Sequence, residues 1–383
     1  MGSSPFARTS KSPAEMAGPL FCRGWTRKMN YSMKRLALFL LLLLPLSASA
    51  QFPVEISREV PSDTLELFFV GDIMSHGAVR KSAEKHGYDS FFKHTQDRIE
   101  RADMAVGNME FPLAGEPYSG YPTFSGPDSY AEYLSRIGFD LLLTANNHIL
   151  DKGPSGVSRT IRALEKLDIP YTGIAADAAS DTLVNPTILI VKGVKIALVS
   201  CTYGTNVGSN ANWPKVNYLD KERIGPMMER ARANADLVLV FPHWGIEYEQ
   251  FHNAEQEEFA RWLVSCGADA IIGAHPHVIQ DVETIDGVPV VYSLGNALSN
   301  QNDLPARLEA ALTLRVVRTF GEPLKLLPLQ FDYLWCTKPG MLEDSYSAVP
   351  VTTPESLWKD KTDYRNMSAT LETLRKKGLI LRW

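Results

Sequence analysis

"ADAIIGAHPHV", residues Ala268 to Val278, joins a short apolar run to two histidines two positions apart. A run of that length closed by glycine reads as a strand, with the polar residues behind it on the loop at the strand's carboxyl end. In an extended segment residues two apart point to the same side, so His275 and His277 are expected to face one object together. A metal ion fits such a pair, and a polar turn around Pro276 is the bland alternative for a lone His-x-His. The chain has only eight histidines, so the residues behind its other apolar runs have to decide.

The same arrangement recurs four times. "LELFFV", ending at Val70, leads into Gly71-Asp72 and His76; "MAVG" at 104 to 107 leads into Asn108-Met109-Glu110. "DLLLTA" at 140 to 145 leads into Asn146-Asn147-His148 with Asp151 beyond, and "DLVLVF" at 236 to 241 into Pro242-His243-Trp244 and Glu247. Further strands are expected at "KIALVSC" (195 to 201), "VPVVYSL" (288 to 294) and "ALTLRVV" (311 to 317). Helical patterns lie between them in "SYAEYLSRI", "GVSRTIRALEKL", "ERIGPMMERARA" and "AEQEEFARWLVSC", the last with Phe259, Trp262, Leu263 and Cys266 at core-packing spacing. Alternating strands and helices predict an α/β layered domain.

In such sheets the carboxyl ends of the strands collect along one rim, where loops build sites on a rigid scaffold. Asp72, Glu110, Asn147, His148, His243, His275 and His277 together offer nitrogen and oxygen donors sufficient for two divalent ions. Mixed ligation of this kind suits zinc, manganese or iron better than calcium or copper(I). Taken singly each signal is weak: Asp72 and Asn146-Asn147 are also ordinary turn residues, Glu110 could be a solvated loop acid, and His148 or His243 a satisfied structural histidine. The joint pattern, one donor set after each of five strands, favours the metal site. His86, His94 and His252 lie in polar, helix-like surroundings and read as surface residues. His76 is left open between contacting substrate, binding metal and lining the rim.

The ends carry a different message. "MKRLALFLLLLLPLSASA", 33 to 50, has a basic start, an apolar core too short to span a bilayer comfortably and an Ala-x-Ala ending, so it reads as a cleaved export signal preceded by an upstream extension, 1 to 32. Removing residues 1 to 50 takes away seven basic residues and Glu15, so the formal charge of −5 becomes −11. An acidic mature chain disfavours a general nucleic-acid role. Of four cysteines, Cys22 leaves with the leader, and Cys201, Cys266 and Cys336 have no CxxC spacing and read as packing residues. The main domain is expected over 51 to 320. Beyond Phe320 the proline-rich stretch 321 to 383, ending in the amphipathic "ATLETLRKKG", is expected as an extension packed against it.

"VGDIM", "GNMEFPL", "TANNHILDKG", "HWGIEY", "GAHPHVIQ" and "YSLGN", in this order from about Leu65 to Asn296, resemble the motifs of the CapA-like family of bacterial poly-γ-glutamate and capsule synthesis, itself similar to calcineurin-like metallophosphatases. The resemblance implies a four-layer α/β/β/α sandwich with a dinuclear rim site. By motif, Asp72, Glu110, Asn147, His243, His275 and His277 would be metal ligands. His148 would protonate a leaving group or steady developing negative charge, and Asp151 and Glu247 would orient His148 and His243. A helix cap and a solvated face are the plain readings of those two acids. Four positions depart from the broader pattern: Asp72 is followed by Ile73-Met74 in place of x-His, Glu110 stands for Asp, Asn146 for Gly, and Ala297 for Phe. They leave a one-metal or empty site open.

Two functions are expected from these features. One is an exported hydrolase, at the periplasm or cell surface, that uses a metal-activated water on a phosphoester or γ-glutamyl amide of an envelope polymer. The other is a non-catalytic accessory of a membrane synthase that binds poly-γ-glutamate or capsular glycan, with Tyr118, Tyr121 and Phe124 lining a groove; the acidic charge counts against a polyanion ligand. A purely structural envelope protein would not explain donors that track strand ends. No G-x-S-x-G, H-E-x-x-H or phosphate-loop motif is present.

Overall fold

All of Leu65 to Val70 except Glu66 is apolar, the signature of a strand buried on both faces. In the computed structural model, which describes residues 62–209 and 212–380, this segment is the strand Ser62–Ile73 at the centre of a nine-stranded sheet. The upstream extension, the export signal and Cys22 lie outside the described residues. From one edge the sheet runs Ser347–Pro350, Gln330–Thr337, Leu308–Thr319, Ser62–Ile73, Met104–Met109, Leu141–Leu143 and Tyr171–Thr172. A six-stranded second sheet runs Val282–Ile285, Val288–Val291, Ala270–Ile272, Leu237–His243, Val194–Thr202 and Thr187–Val191. Every strand expected from the sequence is present, and parallel neighbours in both sheets bring their carboxyl ends to a common rim.

The two-residue period sorts the first strand's side chains into two cores. Leu65, Leu67 and Phe69 join Leu198, Leu239, Phe241 and Ile272 of the second sheet in the core between the sheets, where the rings of Phe69 and Phe241 lie 5.6 Å apart. Phe68 and Val70 point the other way, against the helices Asp128–Arg136 and Gly153–Lys166. The helices Lys221–Asn234 and Ala254–Ser265 cover the outer face of the second sheet, the latter with Leu263 buried and Phe259, Trp262 and Cys266 packed at its edge. Three cores between four layers make the α/β/β/α sandwich that the motifs implied.

The residues after Phe320 supply two strands of the first sheet, Gln330–Thr337 and Ser347–Pro350, and the helix Lys361–Lys376, whose Met367 and Leu374 enter the inter-sheet core. Buried Arg307 forks onto both carboxylate oxygens of Asp363 at 2.7 and 2.9 Å and stacks 4.4 Å over Trp335, fixing that helix to the sheet. Cys201 and Cys336 are buried and unbridged, in keeping with packing roles, and Cys266 is unbridged and partly buried.

Candidate metal centre

The first strand ends in a local irregularity that aims its acid. Val70 pairs with Gly107 but Asp72 pairs with Asn108, so Gly71 is an extra residue that bends the strand at the rim. A side chain there would meet the Gly295 carbonyl at 1.9 Å, which explains the glycine of "VGDIM"; the glycine of "YSLGN" has φ 82° and a side chain on it would meet the Leu308 carbonyl at 2.7 Å. The Gly71 N–H donates to Glu309 Oε1 at 2.6 Å, and the Asp72 N–H to the Gly295 carbonyl at 3.0 Å.

Asp72 is fully buried. Its Oδ1 accepts from Asn108 Nδ2 at 2.6 Å, and its Oδ2 lies 3.2 Å from His277 Nδ1 and 3.3 Å from the His275 backbone nitrogen. Burial would raise this carboxyl, but the His277 hydrogen bond, the charges of His243 and His277 and the Asn108 amide outweigh it and hold Asp72 down at about 2. Glu110, one residue past the strand Met104–Met109, behaves in the opposite way: burial first, then the neighbouring Asp72 charge, push it well above the usual carboxylate range. Both of its carboxylate oxygens are buried without a hydrogen-bond partner.

Glu110 stands at the junction of two donor groups. With His243 and His275 it forms one set of ligand atoms all within 4.8 Å of one another, and with Asp72 and His277 a second such set. His243 ends the strand Leu237–His243, and its Nε2 lies 3.0 Å from Asn147 Oδ1. Burial drives the His243 imidazole down to about 3 and His275 well below its ordinary value, so both rings are neutral at physiological pH and present lone pairs. The Nδ1 of His275 is a further buried atom without a partner. Orphaned carboxylate oxygens beside neutral imidazoles are what a divalent cation would satisfy, so the residues present fit the metal.

The six expected ligands therefore come together. The path of the chain through two of them differs from expectation: the segment after Ala270–Ile272 is not extended, since His275 has φ 98° and His277 φ 59°. The rings, 6.0 Å apart, share the cavity through two left-handed residues that few L side chains adopt. The bend is held by Trp244 N–H to the Ala274 carbonyl (3.0 Å) and Tyr248 N–H to the Pro276 carbonyl (2.8 Å).

His148 sits at the edge of this cluster. Its Nδ1 lies 2.7 Å from Asp151 Oδ2, which also accepts from the Phe124 backbone N–H at 2.7 Å. Asp151 thus holds the histidine instead of capping the following helix. Glu247 follows the plainer of its two readings: it is exposed on the rim, and the His243 ring is held by Asn147 and Asn108. Phe124 is fully buried, wedged between His76 and His148, and lines no groove; Tyr121 is open to solvent and Tyr118 half-buried. Half-buried His76 accepts from the Asn300 N–H at 3.2 Å and is pushed down to about 4 by burial, so it lines the cavity wall. His94 bonds Glu343, and His252 bonds Asp281 while stacking 3.9 Å from Tyr292, so both are more engaged than surface residues; neither belongs to a ligand set among the described residues.

Four supporting residues escaped the sequence. Asn108 ties Asp72 to His243, and its place two residues before Glu110 on a strand was the available signal. Asn296 lies 3.0 Å from His277 Nδ1. Glu309 braces Gly71, and the loop residue Asn206 donates its backbone N–H to the Asn147 carbonyl (2.9 Å) and rests its amide 3.4 Å from the His148 ring.

A four-layer α/β/β/α protein with a buried carboxylate and imidazole cluster suited to divalent metal at its rim is the class these features define. Residues 66–301 match the family described as bacterial capsule synthesis protein PGA_cap, and the chain belongs to that family. It is similar to the PGA biosynthesis protein CapA of Bacillus subtilis, 29% identical over 80% of this chain and 78% of the relative, and to the capsule biosynthesis protein CapA of Bacillus anthracis, 31% identical over 63% and 61%. Among solved structures, a 5'-nucleotidase from Candida albicans superposes with a TM-score of 0.44 at 11% identity, over 83% of this chain and 60% of that one.

Proposed function

We propose that the protein is an exported, metal-dependent hydrolase acting on an envelope polymer during capsule or poly-γ-glutamate synthesis. The observation that carries the reading is Glu110, buried between two sets of donors with neither carboxylate oxygen satisfied. Two divalent ions held by Asp72, Glu110, Asn147, His243, His275 and His277 would supply a water of lowered pKa and polarise the scissile group.

The chain's own residues do the rest. Asp151, bonded to His148 Nδ1, fixes the orientation of the ring and leaves Nε2 to the cleft, where it would donate to the leaving oxygen or nitrogen. The aromatic packing of Phe124 against that ring fixes its plane. Asn108 holds Oδ1 of the Asp72 carboxylate at 2.6 Å and so fixes its orientation.

Elemental analysis of the purified mature chain tests the metal, with close to two equivalents expected and loss in a folded His275→Ala/His277→Ala variant. Hydrolysis is then measured on phosphoester and γ-glutamyl amide probes. His148→Asn should keep the metal and lower kcat by roughly 10²- to 10⁴-fold. A folded, metal-loaded parent that cleaves neither bond sinks the hydrolase and leaves the polymer-binding accessory. Export is read from the amino terminus of the secreted chain, expected at Gln51.

A further inference from the structure

Three tyrosines stand around the cleft, each over a different site histidine. The Tyr203 ring lies 4.5 Å from His275, Tyr248 6.2 Å from His277 and Tyr121 6.5 Å from His148. They come from three separate loops and remain open to solvent, with exposures of 48, 48 and 73%. Tyr248 holds φ 69°, a conformation glycine or asparagine adopts more easily, and its backbone is pinned there by the Pro276 carbonyl. An aromatic side chain kept exposed at a strained position is explained by what it presents.

The charge around these rings is one-sided. Glu247 is exposed beside Tyr248 and is the charged group acting most on both the Tyr203 and Tyr248 hydroxyls, with Asp303 acting on Tyr248 as well. A basic group lies near His76, where Lys338 acts on that ring and donates to the Asn300 carbonyl at 3.3 Å. Electron-rich ring faces among carboxylates attract cations and repel anions.

Resting on the hydrolase reading of the same centre, we propose that Tyr203, Tyr248 and Glu247 bind a primary ammonium group of the substrate, next to the bond placed at the metals. The terminal residue of a γ-linked glutamyl chain has this chemistry, with an ammonium for the tyrosine bank and a neighbouring carboxylate for the Lys338 side. Carboxylates further along a polyanion gain nothing from the tyrosine bank.

The test titrates the manganese-loaded full-length mature chain by calorimetry with tri-γ-glutamate bearing either a free or an acetylated amino terminus. The free amine should bind at least tenfold more tightly. Tyr248→Ala and Glu247→Gln should each shrink that ratio below about threefold with metal content unchanged. Equal affinity for the two oligomers, no binding of either, or a ratio that survives both variants overturns the inference. Cleavage is followed in the same samples: amine selectivity without cleavage sinks the hydrolase and spares the ammonium subsite, and cleavage without selectivity does the reverse.

Discussion

Two buried charged clusters, about equally hidden from water, are built on opposite plans. Around Arg307 every polar atom is spent: its Nε donates to the Cys336 carbonyl, its two terminal nitrogens to Asp363, and Asp363 takes a further bond from Trp335 Nε1 at 3.1 Å. Around Glu110 two carboxylates lie side by side, and Glu110 Oε1, Glu110 Oε2 and His275 Nδ1 have no hydrogen-bond partner. The first cluster closes on itself and holds the last helix to the sheet; the second is left open at a cost only a ligand would offset.

The largest effect expected from that contrast is at the closed cluster. Arg307→Ala strands a buried Asp363 carboxylate and should cost about 3–5 kcal/mol in urea unfolding. The paired replacement Arg307→Met/Asp363→Leu removes both charges and should recover most of the loss. If the single and paired variants are equally unstable, the pair matters for packing and not for charge, and the contrast fails.

At the open cluster the sign depends on the ligand. Glu110→Gln removes no hydrogen bond, so without metal it should lie within about 1 kcal/mol of the parent. Manganese or zinc at a hundred times its dissociation constant should stabilise the parent by about 2.7 kcal/mol and leave Glu110→Gln unmoved. Equal stabilisation of both, read by thermal unfolding at fixed pH, would place the cation elsewhere.

Glu309 lies between the two plans, with Oε1 on the Gly71 N–H and Oε2 unpartnered. Burial, against the pull of that N–H, raises it to about 8, so the folded chain keeps a proton that the unfolded chain releases near the ordinary carboxylate value. Stability from this group is complete below about pH 4.5 and should fall by about 1.4 kcal/mol per unit as pH rises toward 8. Asp72, held near 2, stays ionised through that window. The neutral buried histidines give the opposite slope below about 6.5, so the readout is the difference between the parent and Glu309→Gln. Denaturation midpoints at pH 5, 6.5 and 8 should converge at the acid end and favour the variant at the alkaline end; parallel curves would remove Glu309 from the account.

Much of the open cluster was legible because each ligand comes just after an apolar run, and that juxtaposition is local. What surrounds it depends on contacts far along the chain. The left-handed turns at His275 and His277 are held by Trp244 and Tyr248 from the neighbouring strand end, so the segment is not extended as the sequence suggested, and the two rings fall in different donor sets that share Glu110. Glu309 lies just before "ALTLRVV" and gives no sign of burial until Gly71, 238 residues away, packs on it. Asn206 belongs to a polar loop without periodicity. The closed cluster was not legible: "QFDYLWCT" comes after a proline-rich stretch, and its strand character shows only in its pairing with Leu308–Thr319.

The smallest effect is expected at an ion pair of similar hydrogen-bond length but opposite burial. Arg101 and Asp97, four residues apart on the helix Gln96–Arg101, meet at 2.9 Å with side chains 71 and 80% exposed. Water screens both partners before and after folding, and ordering two long side chains costs entropy. Asp97→Asn should therefore shift stability by no more than about 0.5 kcal/mol, and added salt should shrink even that. Asp363→Asn makes the matching change at a buried pair of almost the same length, 2.7 Å, so the two variants differ chiefly in burial. Comparable losses in urea unfolding would mean that ion-pair geometry, and not the removal of charge from water, separates the clusters. A large loss at Asp363 beside a negligible one at Asp97 keeps burial as the cause, and with it the reason to hold that the unpartnered oxygens of Glu110 are kept for a ligand.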